Sequence, residues 1–135
     1  MTIRPARGKI MPVLYAEVDL MASIEKLPAG EFNISRWSGG TTTELFIWPY
    51  GASYAERRFS IRISTATVDI AESTFTKLPG VTRYIAPLGD GFTLKIGQNE
   101  PEFIPHAAVK RFDGGENVTC TGVGRDLNLM LSGAA

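Results

Sequence analysis

No long stretch of this chain carries a helical period. Its apolar residues alternate with polar ones in short runs, and Gly, Pro or Asp-Gly ends each run within about ten residues, the pattern of β-strands joined by turns. The clearest run is Arg58-Phe59-Ser60-Ile61-Arg62-Ile63-Ser64. Phe59, Ile61 and Ile63 share one face, and Ser60, Arg62 and Ser64 share the other. By Val68 and Ile70 the apolar phase has moved to even positions, which a bulge near residues 65–67 would produce.

Other runs repeat the theme. Gly39-Gly40 forms a bend that feeds residues 43–49, where Leu45 and Ile47 share one face and Glu44, Phe46 and Trp48 the other. A carboxylate between two aromatics is unusual on a plain solvated face, so Glu44 is the first residue to question. Residues 50–58 have no period and read as a loop. Residues 83–88 form a strand, and Asp90-Gly91 predicts a hairpin into the next, where Phe92, Leu94 and Ile96 alternate with Thr93 and Lys95. Residues 103–112 form a weaker strand region, 118–121 a short strand, and Leu127, Leu129 and Leu131 alternate with Asp126, Asn128 and Met130. Residues 1–22 are an extension in which 13–21 lean to strand, and 26–30 form a turn. Many short strands without an amphipathic helix indicate an all-β sandwich or barrel.

At 135 residues the chain fits one domain able to bury a core without disulfides or metals. Fourteen basic and fourteen acidic residues cancel, so no long-range field draws it onto nucleic acid or anionic membrane, and neither is expected as a partner. One cysteine excludes an intrachain disulfide framework and points to a reducing, cytoplasmic setting. Arg4, Arg7 and Lys9 ahead of residues 10–16 faintly resemble a secretory leader, but Glu17 and Asp19 interrupt it.

Polar residues that share strands with an apolar face are the candidates for chemistry: Thr43 and Glu44, Ser60, Arg62 and Ser64, Arg83, and Asp126 and Asn128. If a closed sheet turns them inward, Arg62 and Arg83 offer forked donors to a carboxylate, while Glu44, Asp126 and Asn128 can hold an amine or amide. If it turns them outward they are ordinary solvated residues, and period alone favours that orientation. His106 and Cys120 are the only imidazole and thiol, so a conventional His-rich metal site is excluded and no cofactor is expected. His106 reads as a loop histidine and Cys120 as a small core residue. Gly122-Val123-Gly124 does not continue into a phosphate-binding fingerprint.

Four blocks in order carry a family resemblance: Arg36-Trp37-Ser38-Gly39-Gly40-Thr41-Thr42-Thr43-Glu44, residues 59–68, residues 75–83, and Arg125-Asp126-Leu127-Asn128-Leu129-Met130. Over about residues 25–131 the chain resembles the HutD/Ves family of the cupin superfamily. The resemblance implies a cupin-like double-stranded β-helix, the RmlC-like jelly roll, with two barrels built from one chain. It also implies an inward polar pocket, making Thr43, Glu44, Arg62, Ser64, Arg83, Asp126 and Asn128 its expected residues. Family members are associated with histidine utilisation or stress responses and are thought to bind a small acidic metabolite rather than catalyse a step. Metal-binding cupins use a histidine cluster with a Glu, which this chain lacks. Family members also run on beyond the Asp-Leu-Asn-Leu-Met block, so the second barrel is expected to be incomplete, truncated or completed by another chain, and a homodimer is one way to cover the open edges.

The leading expectation is a non-enzymatic ligand-binding protein. The alternatives are a metal-independent enzyme acting on a small carboxylate, with Glu44 as base beside Arg62, and an assembly protein acting through open sheet edges.

Overall fold

The computed structural model describes residues 32–133, and the readings of residues 1–22 and 26–30 lie outside them. Ten strands follow one another: β1 (Asn33–Trp37), β2 (Gly40–Trp48), β3 (Ile61–Val68), β4 (Glu72–Thr74), β5 (Val81–Pro87), β6 (Phe92–Ile96), β7 (Glu102–Ile104), β8 (Lys110–Asp113), β9 (Val118–Thr121) and β10 (Gly124–Ser132). They form a six-stranded sheet in the order β1-β2-β3-β10-β5-β8 and a four-stranded sheet in the order β4-β9-β6-β7, and every pairing is antiparallel. The expected all-β architecture is therefore present.

Connections that cross between the sheets give the barrel its shape. Asp90-Gly91 is such a crossing and not the expected hairpin, because β5 pairs with β10 and β8 while β6 pairs with β9 and β7. Gly91 adopts φ +104° there, and a Cβ would stand 2.6 Å from the Ile104 carbonyl oxygen. The expected strand at 103–112 divides into β7 and β8, one in each sheet. The three-residue strand β4 has no period long enough to mark it in the sequence.

Between the sheets, Val68, Phe75, Ile85, Phe92, Leu94, Ile96, Ile104, Phe112, Val118 and Cys120 form the main core. Phe59, Leu78, Val81 and Met130 form a second cluster, against which Ile47 packs. Each fully buried apolar side chain contributes about 1.5–3 kcal/mol relative to exposure, so these clusters hold the barrel closed.

The direction of β3 corrects the sequence reading. Its buried residues are Arg62, Ser64, Ala66 and Val68, one unbroken face, while Ile61 and Ile63 lie on the outer face. The β3–β10 register runs without interruption from Val68 to Ile61, so there is no bulge at 65–67. The apolar phase changed because the inner face itself changes from core to polar lining. Likewise β10 turns Asp126, Asn128 and Met130 inward and leaves Leu127 and Leu131 exposed. The bulge sits in β2 instead, between Glu44 and Phe46. Opposed residues of an antiparallel pair share a face, so Glu44 opposite Ser64 points inward, as does Ile47 opposite Arg62. Phe46 and Trp48 point outward, and Glu44 does not stand between them.

Candidate functional site: a polar cavity inside the six-stranded sheet

A cavity of about 420 Å³ opens against the inner face of β3, β10 and β5, within the range that holds a small ligand. The β1–β2 hairpin closes one side with Ser35, Trp37 and Thr42, the loop at 50–58 contributes Tyr54 and Arg57, and Phe75 and Thr76 lie across from the sheet. The hairpin can sit this close because its turn carries glycine. A Cβ at Gly40 would run into the Thr67 backbone carbonyl, and one at Gly39 into the Trp37 ring.

Two arginines dominate the polar lining. Arg62 is 4 % exposed, donates from Nε to Glu44 Oε1 at 2.8 Å, and lays its guanidinium 3.8 Å from the Tyr54 ring centroid. That ring holds a second arginine, Arg57, at 4.6 Å. Arg57 has φ +58°, and its Nη1 donates to the Tyr54 carbonyl at 2.6 Å, a local bond that holds an unfavourable backbone angle at the cavity rim. Arg83 lies deeper, between Phe75 and Phe112, with ring centroids 5.4 and 5.2 Å from its guanidinium carbon. Burial lowers its pKa from the ordinary value, yet an arginine stays charged at any physiological pH.

A chain of hydrogen bonds runs from Arg83 to Asp126. Arg83 Nη2 donates to Asn128 Oδ1 at 2.8 Å, and Asn128 Nδ2 donates to Asp126 Oδ1 at 2.9 Å. Asn128 thus orients both neighbours, and Arg83 does not bond the carboxylate directly. Burial pushes the Asp126 carboxyl up to about 6, opposed by the Asn128 bond and by the charge of Arg83. Trp37 Nε1 and Arg83 Nε are buried and find no acceptor among the described residues. A donor left in that state costs about 1–3 kcal/mol, so the lining has surplus donors rather than surplus acceptors.

Of the expected residues, Arg62, Ser64, Arg83, Asp126 and Asn128 line this cavity. Glu44 faces a smaller neighbouring cavity of about 310 Å³, which shares Ser35, Tyr54 and Arg62 with the first. Thr43 lies opposite Thr65 on the outer face, because β2 alternates and Glu44 takes the inward position. Ser60 is exposed and precedes β3. The sequence reading missed Trp37, Tyr54, Phe75 and Met130 as lining. Trp37 and Phe75 lay within the resemblance blocks, whereas Tyr54 sits in a loop without any period.

Among the described residues no three His, Cys, Asp or Glu side chains gather where they could hold a metal ion. His106 is exposed, with its Nδ1 3.0 Å from the Gly89 carbonyl oxygen. Cys120 is buried in the core, and burial raises its thiol to about 11, so it stays protonated.

Two antiparallel sheets closed around a polar cavity make this a cupin-fold protein. The cupin domain of Schizosaccharomyces pombe Cnp3 has the same fold, with a TM-score of 0.58 at 8 % identity over 79 % of this chain and 73 % of that one. The chain belongs to the HutD family, whose model matches residues 29–135. It is similar to HutD from Pseudomonas fluorescens SBW25, with 26 % identity and a TM-score of 0.67 over 78 % of this chain and 58 % of that one. It is also similar to a conserved protein of unknown function from Pseudomonas aeruginosa PAO1, with 27 % identity and a TM-score of 0.70 over 79 % and 56 %. The chain therefore spans little more than half the length of these two relatives. No curated protein matches it. Among the described residues no helix is long and apolar enough to cross a membrane.

Proposed function

We propose that this chain is a non-enzymatic, cytoplasmic ligand-binding cupin that holds a small acidic metabolite and thereby modulates histidine utilisation. The observation that carries the reading is Arg83, a buried cation lining a cavity with no carboxylate in direct contact. Its charge is held in place by aromatic rings on both sides and by Asn128, so it is preorganised for an incoming anion. Membership of the HutD family supports a reading in histidine utilisation, with urocanate or formylated glutamate as the candidate ligands.

Glu44 fits a general base poorly, because its Oε1 already accepts from Arg62 Nε at 2.8 Å, so a substrate would have to displace that partner. A homodimer fits the outer face of the larger sheet, where Phe46, Trp48, Leu127 and Leu131 are exposed. Sedimentation showing monomer alone at all concentrations removes that part of the reading.

Thermal denaturation with urocanate and N-formylglutamate tests the function. A ligand that binds the native state alone raises the melting temperature with concentration, by about 2.7 kcal/mol of stability at a hundredfold excess over Kd. Absence of any shift with either compound overturns the proposal.

A further inference from the structure

The cavity contains an acid as well as its cations, and the balance between them decides how an anion can enter. Asp126 is 1 % exposed and lines the same cavity as Arg83. Its carboxylate accepts from Asn128, and Arg83 reaches it only through that amide. Arg62 is already matched by Glu44 at 2.8 Å. Arg36 on β1 and Arg57 at the rim are exposed, where solvent and salt screen them. Tyr54 faces the cavity from the loop, and Cys120 on β9 lies close enough to Asp126 to feel its charge. Among the described residues these are the charged and titratable groups around Asp126. Inside the barrel one arginine therefore stands against one carboxylate before any ligand arrives.

An entering carboxylate makes that two anions to one buried cation. Two carboxylates in a shared low-dielectric site do not both stay ionised, and the group whose charge is already disfavoured takes the proton. Asp126 is that group, since a free small carboxylate titrates near 4 while Asp126 is held far from water. Resting on the reading of this cavity as an anion site, we propose that Asp126 takes up a proton when a carboxylate ligand enters, and meets the ligand as a neutral carboxylic acid. Arg83 is then left to the ligand alone. The site prefers carboxylates, which gain a proton-donating neighbour, over ligands that are cationic at the same position. Binding strengthens as the medium acidifies.

Isothermal calorimetry tests this with N-formylglutamate, whose own carboxyls are ionised throughout the range used. Titrations at pH 7.5 in HEPES and in Tris, whose ionisation enthalpies differ widely and neither of which offers the site a phosphate or carboxylate, count the protons taken up. The expected result is close to one proton per ligand at pH 7.5, with affinity rising about tenfold per pH unit there and levelling off towards pH 6, where Asp126 of the free protein is already partly protonated. Asp126→Asn, which keeps the acceptor for Asn128, is expected to bind with no proton uptake and a flat pH profile. That flat profile assigns the proton uptake to Asp126 rather than to another group of the protein. Binding by the wild type with equal enthalpies in both buffers overturns the inference and leaves the anion-binding reading standing. No binding at either pH overturns that reading and the inference with it. Because the proton count is taken on the wild-type protein, the test holds even where the variant does not fold.

Discussion

Arg62 Nε and Glu44 Oε1 lie 2.8 Å apart across two neighbouring strands, and the β2 bulge is what lets Glu44 and Ile47 both face inward. Residues three positions apart on a regular strand point to opposite faces. Without the extra residue, either Glu44 or Ile47 would face solvent. The ion pair is largely buried, with side-chain exposures of 5 % and 15 %.

Removing one partner of such a pair leaves the other charged and poorly solvated. Glu44→Ala is expected to cost about 3–5 kcal/mol, while Glu44→Gln, which keeps an acceptor for Nε, costs less. Urea denaturation midpoints check both. Equal stability of Glu44→Ala and the wild type would mean that Arg62 is solvated in place.

If the cavity binds an anion as proposed, Arg83 is the residue expected to hold it. Arg83→Met keeps an apolar stem between Phe75 and Phe112 while removing the charge, so the barrel is expected to fold and affinity for N-formylglutamate to fall by at least about tenfold, the value of one charge-assisted hydrogen bond. Thr43→Ala, on the outer face, is expected to leave that affinity unchanged. Calorimetry on both variants gives the comparison, and a reversed ranking would move the ligand out of this cavity.

Gly40 permits the close approach of the hairpin to β3. Gly40→Ala places a Cβ against the Thr67 carbonyl, which is backbone and cannot rotate away. The expected loss is about 1–3 kcal/mol, read from thermal or denaturant unfolding. Gly51→Ser is no control for it, because Gly51 has φ +85° and a side chain is strained there even in open space. Gly89→Ala, with open space and no positive φ, serves as the control and is expected to be near neutral.

Asp126 sets a pH dependence of stability with a definite sign. Its folded pKa is raised to about 6 from an ordinary 3.8, so the native state binds the extra proton between those values. This contribution is fully present below pH 4 and is lost as pH rises through 6, on the order of 3 kcal/mol in total. The stability of Asp126→Asn relative to wild type is therefore expected to improve from pH 5 to pH 7.5. Denaturation of the two proteins at both pH values checks this, and a constant difference would mean that Asp126 is not destabilised by burial.

The resemblance blocks and the short alternating runs made the fold class legible. They did so because strands of period two with Gly and Pro turns have few packed solutions other than sheets closed on themselves. Period two grouped Arg62, Ser64, Arg83, Asp126 and Asn128 with Thr43, Glu44 and Ser60, and only the family resemblance implied an inward pocket; Thr43 and Ser60 do not face it. Tyr54 was not legible, since a loop residue acquires its position only from its tertiary neighbours, here Arg57, Arg62 and Phe59.

What the sequence determined by itself was which residues move together. Arg62 must share a face with Ser64, and Asp126 with Asn128, because the pleat alternates whatever surrounds it. Which face turned inward was decided by tertiary structure alone. Period two is identical for a solvated face and a cavity lining, so Ile61, Leu127 and Leu131 resembled core while facing outward. Pairing β10 between β3 and β5 settled the orientation, placing Arg62, Met130 and Arg83 in one inward row. The β2 bulge was equally invisible, because a single unpaired residue leaves composition and turn chemistry unchanged and shows only in the register against β3.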